Sequence, residues 1–258
     1  MEAKRSLINA RLKNLSVTQN DLYAFSLKHT LSIYPINAVC TFIPKNACST
    51  LRYSVAVANG FLSDIADIEW IHTNNETFTA SQREIARAQL TFVILRCPFT
   101  RAASCFLNKF VDNKLKFNDA NGNKLSVNFN EFLLIVKSQN RKNRNIHWRN
   151  QSDFLHYEQY DKYFALESFS EAADFLSEYN FKIHDTRSAI NHDLSIYKKS
   201  QGDYSKTKDI KLKEMKDKGV VPSYKSMFGE TEIRLVKEIY ADDISLYKKN
   251  FGSSELLF

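Results

Sequence analysis

Glycine and proline are scarce in this 258-residue chain, with 6 and 4 respectively. Long flexible linkers are therefore not an organising feature. No glycine lies anywhere from 38 to 59. That rules out a G-x-x-x-x-G-K-[ST] phosphate loop there and disfavours a kinase or ATPase built on one. The four cysteines, at 40, 48, 97 and 105, form no C-x-x-C pair, so no metal site is expected and a reducing compartment fits. Apolar runs such as 132–136 are too short to span a bilayer. No apolar stretch follows Met1-Glu2-Ala3-Lys4-Arg5, so no secretory signal is read and the expected location is the cytoplasm.

What is present is an ordinary globular composition, 43% hydrophobic and 25% charged, with a net charge of +7. The excess of cations suits an anionic partner: a nucleotide, an acidic glycan, nucleic acid or a membrane surface. Charge alone does not choose among them. The length suits one α/β domain over 1–258.

Periodicity predicts a surface helix over 4–16, with Leu7, Ile8, Leu12 and Leu15 on one stripe. Buried strands are predicted at 38–44 and 91–95, each running into a helix, at 48–59 and 98–110. Further helices are expected at 80–89, from 129, at 170–179 and at 229–249, with a strand within 156–167. Residues 198–218 hold eight lysines and few apolar side chains, and read as a solvated or mobile basic loop. The order strand, helix, helix, strand, helix argues for a parallel sheet with right-handed crossovers.

Chemistry concentrates where the two strands hand over to helices, the place where an open α/β sheet binds anions. In the first, Lys45-Asn46-Ala47-Cys48-Ser49-Thr50 supplies backbone N–H groups, one ammonium and two hydroxyls. In the second, Arg96 ends the strand and Ser104 follows eight positions on. Arg96 suits bidentate phosphate binding, and Ser104 suits a third hydrogen bond. An arginine paired with a carboxylate beside a routine helix serine would look the same. Two such sites suit a ligand with two separated phosphates.

Together these segments resemble the PAPS-dependent sulfotransferases, in particular the carbohydrate (Golgi-type) branch with its P-K-x-A-C-T loop. PAPS is 3′-phosphoadenosine 5′-phosphosulfate, and its desulfated product is PAP. Pro44-Lys45-Asn46-Ala47-Cys48-Ser49-Thr50 matches the family's 5′-phosphosulfate loop. Arg96-Cys97-Pro98-Phe99-Thr100-Arg101 with Ser104 matches its 3′-phosphate motif. Asn145-Ile146-His147-Trp148 looks like its N-x-H-W segment. Residues 160–167 look like a degraded Y-D-x-I-G-K-[FY]-E stretch, and 236–251 like its closing helix. The likeness spans roughly 38–252, with 1–37 as a helical extension. The chain departs from the family at Ser49, at Leu51 (usually Trp) and in the glycine missing from the Y-D stretch. It also lacks the luminal cysteine pair and membrane anchor of the animal enzymes, as a soluble bacterial relative would.

The resemblance implies an α/β, P-loop-like three-layer fold with a central parallel sheet flanked by helices. It also implies sulfuryl transfer from PAPS, without metal, to a hydroxyl or amine of a carbohydrate or glycan-bearing acceptor, with no nucleic acid partner. Lys45 would neutralise charge on the leaving nucleotide. His72 is the first candidate for general base, His147 the second, and Glu69 and Glu76 lie outside them. For a lone histidine a surface or packing role is the plainer reading. Lys206, in the basic loop, would close over the nucleotide. The cations Lys137, Arg141, Lys142, Arg144 and Arg149 would line a groove for an acidic acceptor, or form a solvated face. Two other classes stay open: a nucleotide-dependent kinase of related fold, and a non-catalytic basic module for acidic polysaccharide or nucleic acid.

Overall fold

The computed structural model describes residues 5–8, 16–189 and 196–258. In chain order the elements are α1 (Asp21–Leu27), β1 (Thr30–Ile33), β2 (Ala38–Thr41), α2 (Cys48–Ala58), α3 (Trp70–Thr73), α4 (Gln82–Arg87), β3 (Leu90–Leu95), α5 (Pro98–Phe106), β4 (Phe117–Asn118), β5 (Lys124–Leu125), α6 (Phe129–Ser138), β6 (Lys162–Ala165), α7 (Phe169–Glu178), β7 (Lys198–Ser200), α8 (Asp209–Asp217), β8 (Val220–Pro222), α9 (Glu230–Ile239) and α10 (Ala241–Phe251). They form two compact units, one of residues 1–96 with 151–191, the other of residues 97–150 with 192–258.

The first unit holds a four-stranded sheet in the order β1-β2-β3-β6. β2, β3 and β6 run parallel, and every residue of β2 and β3 is buried, as parallel strands covered on both faces require. β1 departs from the parallel expectation. It pairs antiparallel with β2, because a short turn through Pro35 joins them and Asn37 closes it in the left-handed region at φ 47°. So short a link cannot make the crossover a parallel pair needs. The sheet therefore begins within 1–37, read from sequence as a helical extension.

Helices flank this sheet. Leu51, Tyr53, Val55 and Ala56 of α2, and Ala172 and Leu176 of α7, share one core with Phe92, Ile94 and Phe164. Each large apolar side chain sealed there contributes about 1.5–3 kcal/mol. Of the helix expected over 4–16, residues 4 and 9–15 lie outside the described residues. Leu7 makes an isolated antiparallel bridge with Tyr157.

The second unit packs α5, α6, α9 and their neighbours around a cluster of aromatic rings, among them Phe106, Phe110, Phe129, Phe132 and Trp148. Pro98 opens α5, where its missing N–H costs nothing. The stretch 198–218 is not a loop. It contains β7 and α8, and β7 pairs parallel with β8. The closing helix expected over 229–249 is two helices. The chain leaves helical geometry at Tyr240 (φ −118°, ψ 32°), whose buried hydroxyl donates to the Trp148 carbonyl at 2.9 Å. Among the described residues no helix is long and apolar enough to cross a membrane.

Candidate active site

β2 ends at Thr41, and residues 42–47 carry the chain to α2. Lys45 (φ 74°) and Ala47 (φ 55°) both adopt left-handed backbone within three positions. For residues with a Cβ this conformation is costly. Ala47 is the residue that caps α2, and it has no side chain able to accept a hydrogen bond. The opening turn of this 11-residue helix thus has no side-chain cap and no acidic residue. Its first N–H groups have no intrahelical carbonyl either, an arrangement chemically able to receive an anion.

The loop is held from beneath. Asn46 is buried, and its Nδ2 donates to the Ile94 carbonyl at 2.9 Å and to Gln151 Oε1 at 2.6 Å. Its side chain therefore turns inward as an anchor, and its own N–H is taken by the Ile43 carbonyl at 3.0 Å. Gln151 also accepts from the Arg96 N–H at 3.0 Å and donates to the Arg96 carbonyl at 2.9 Å. Arg96 Nη1 then donates to the Lys45 carbonyl at 2.9 Å. One buried amide, Gln151, thereby locks the end of β3 to the loop after β2. Sequence reasoning passed over Gln151. The only signal was its position three residues beyond Trp148, just past the Asn145–Trp148 segment that resembles the family's N-x-H-W.

The other loop residues are placed as follows. Ser49 is buried and its hydroxyl has no hydrogen bond to any described residue. The Thr50 hydroxyl meets the Thr186 hydroxyl at 2.9 Å. Lys45, Ala47 and Cys48 are half-exposed. His72 sits exposed on α3, and its carbonyl accepts from Asn75 Nδ2 at 2.9 Å. The structure thus brings Lys45, Asn46 and Arg96 into one hydrogen-bonded assembly, and Ala47–Thr50 follow directly from it into α2. Tyr160 and Asp161, from the degraded Y-D stretch, act as clips within the sheet. Tyr160 meets Thr41 Oγ1 at 2.7 Å, and Asp161 accepts from the Thr91 N–H at 2.7 Å and pairs with Arg5. Those hydrogen bonds hold the Asp161 carboxyl below the usual range despite partial burial.

Ser104, His147 and Lys206 belong to the second unit. Ser104 is buried within α5, and Lys206 is exposed between β7 and α8. His147 is half-buried, its Nδ1 and N–H both on Asn145 Oδ1 at 2.7 and 3.0 Å. The basic run beside it is largely engaged within that unit. Lys137 pairs with Glu238 at 2.6 Å and Arg141 with Asp242 at 2.5 Å. Arg144 donates to Asn150, and the buried Arg149 to the Lys142 carbonyl. Among the described residues no group of three or more His, Cys, Asp or Glu side chains is placed to hold a metal ion.

A model described as the sulfotransferase family matches residues 36–250. Searches of curated proteins and of solved structures returned no match.

Proposed function

The chain belongs to the sulfotransferase family, and from that premise we propose that it moves a sulfuryl group from PAPS to a hydroxyl or amine of a carbohydrate or glycan-bearing acceptor. The hydrogen bond from Arg96 to the Lys45 carbonyl is the observation that carries this reading. It ties the residue assigned to one phosphate to the loop assigned to the other, and a donor with phosphates at both ends needs the two receptors held at fixed separation. The uncapped first turn of α2, with left-handed backbone at Lys45 and Ala47, fits the phosphosulfate end of such a donor.

When bound, PAPS supplies an activated sulfuryl group, and its departure leaves negative charge on the 5′-phosphate. Lys45 and the N–H groups opening α2 would hold that phosphate, and one such charge-stabilising donor is typically worth about 10²–10³ in rate. The Ser49 and Thr50 hydroxyls add donors on the same turn. Arg96 and Ser104 are assigned to the 3′-phosphate, with Lys206 as a further cation toward the nucleotide. His72 takes the acceptor's proton, and His147 is the alternative base.

The test is PAP release from PAPS in the presence of a panel of desulfated polysaccharides. Sulfuryl transfer is expected with the wild-type protein. His72→Ala is expected to lower turnover while leaving PAP affinity intact. Unchanged turnover in that variant moves the base to His147, and no transfer to any acceptor together with no PAP binding overturns the reading.

A further inference from the structure

We propose that Arg52 anchors an oxyanion, carried by an acidic sugar of the acceptor, in a subsite beside the phosphosulfate loop. The proposal rests on the sulfotransferase reading and deepens it by naming the acceptor's class.

Arg52 lies in the second turn of α2, four residues after Cys48, and is only 9% exposed. Its guanidinium sits over the Phe42 ring, 5.3 Å from the centroid, and Nη2 donates to Asn75 Oδ1. No described carboxylate pairs with it. An arginine stays protonated, and a buried cation without a counter-charge is costly. Burial does push its pKa below the usual value, in keeping with an uncompensated charge. Elsewhere in the first unit Arg5 has Asp161, and Arg96 has the Lys45 carbonyl. Arg52 has only a neutral amide and a ring.

Its remaining donors are not sealed in. None is among the buried polar atoms left without a partner, so they keep contact with solvent. Arg52 lines a shallow recess together with Trp70, Asn74, Asn75, Ile71 and Phe78. The Trp70 indole N–H makes no hydrogen bond to a described residue and adds a second donor type there. Trp70 also forms part of a ring cluster with Phe61 and Phe78, with centroids 4.9–5.9 Å apart, and Phe61 is 54% exposed. An exposed aromatic platform next to a buried, fork-shaped cation suits a sugar ring bearing a carboxylate or sulfate. Arg52 is also linked to the expected base. Asn75 accepts from the guanidinium and donates to the His72 carbonyl, so an oxyanion drawn to Arg52 would fix the turn that carries His72. The basic run at 137–149, the other candidate for acidic acceptors, has much of its charge engaged internally.

The test uses the intrinsic fluorescence of the full chain, which has two tryptophans: Trp70 at the recess and Trp148, 6% exposed. Sodium glucuronate, glucose 6-sulfate and neutral glucose are titrated separately. Saturable change is expected with the two acids and not with glucose, and the stronger of the two tells carboxylate from sulfate. Arg52→Gln should weaken that response at least tenfold while PAP binding by calorimetry matches wild type, which also certifies its fold. Arg52→Lys, which keeps the charge and loses the fork, should fall between and serves if the glutamine variant does not fold. Lys45→Ala should leave the acid response in place. Equal response to glucose, an unchanged response in Arg52→Gln, or a response lost in Lys45→Ala overturns the proposal. Acid binding through Arg52 in a protein that binds no PAP would keep the subsite and overturn the sulfotransferase reading instead.

Discussion

At the scale of single residues, the site depends on a few buried hydrogen bonds whose loss has separable effects. Arg96→Ala is expected to weaken PAP binding far more than binding of AMP, which lacks the 3′-phosphate. Equal losses for both would mean that Arg96 only supports the Lys45 carbonyl. Gln151→Ala removes an acceptor from Asn46 and from the Arg96 N–H, and a donor to the Arg96 carbonyl. Unsatisfied buried groups cost about 1–3 kcal/mol, so a lowered melting temperature is expected. As a positioning residue it should also erode the preference for PAP over AMP. A melting shift with that preference intact would leave Gln151 a purely structural role. Lys45 and Arg96 were legible in the sequence because their spacing repeats a pattern tied to strand ends. Gln151 and Arg52 were not, because their roles depend on partners 55 and 105 positions away for Gln151 and 23 for Arg52, and arginine is seldom buried.

At the scale of elements, the loop before α2 concentrates strain at Lys45 and Ala47. A β-branched side chain at the left-handed Ala47 should be poorly tolerated. Ala47→Val is expected to destabilise by about 1–3 kcal/mol, while Ala47→Gly stays near wild type in chemical denaturation. Equal stability of the two variants would place the strain elsewhere. The parallel strands and their following helices were readable because short continuous apolar runs and helical periodicity are local signals. β1 was hidden, since antiparallel pairing is set by the left-handed turn at Asn37 rather than by the four residues of the strand. α8 was hidden by its lysines, which the fold neutralises. Lys213 pairs with Asp217, Lys216 with Asp112, and Lys116 with Asp209 at the helix start. Only Leu212 and Asp209 of α8 are buried, too few to reveal an amphipathic face in the sequence.

At the scale of the whole molecule, stability should depend on pH through a histidine outside the site. His156 is fully buried, with Nδ1 2.9 Å from Ser26 Oγ. Ser26 Oγ donates to the Tyr23 carbonyl, so the imidazole proton resides on Nδ1, and Nε2 is buried without a partner. Burial pushes its pKa down to about 4. The unfolded chain then binds the extra proton first, near pH 6.5, so stability is full above that value and falls as pH drops toward 4. The loss from this one group is about 3 kcal/mol at 1.36 kcal/mol per pH unit. His184, also shifted down by burial, adds in the same direction. Chemical denaturation at pH 7.5 and 5 should show this fall, flattened in His156→Gln. An identical slope in that variant would assign the pH dependence to other groups.

The excess of 36 lysines and arginines over 29 acids suits an anionic donor, whose phosphosulfate end the loop before α2 is proposed to bind. Calorimetric titration of PAP into the wild-type protein and into Lys45→Ala tests this most directly, with ATP as the comparison ligand. Tight binding of PAP by the wild type, not matched by ATP, and loss of that binding in the variant are expected. Absence of PAP binding, or equal binding by both proteins, would contradict that role for the loop.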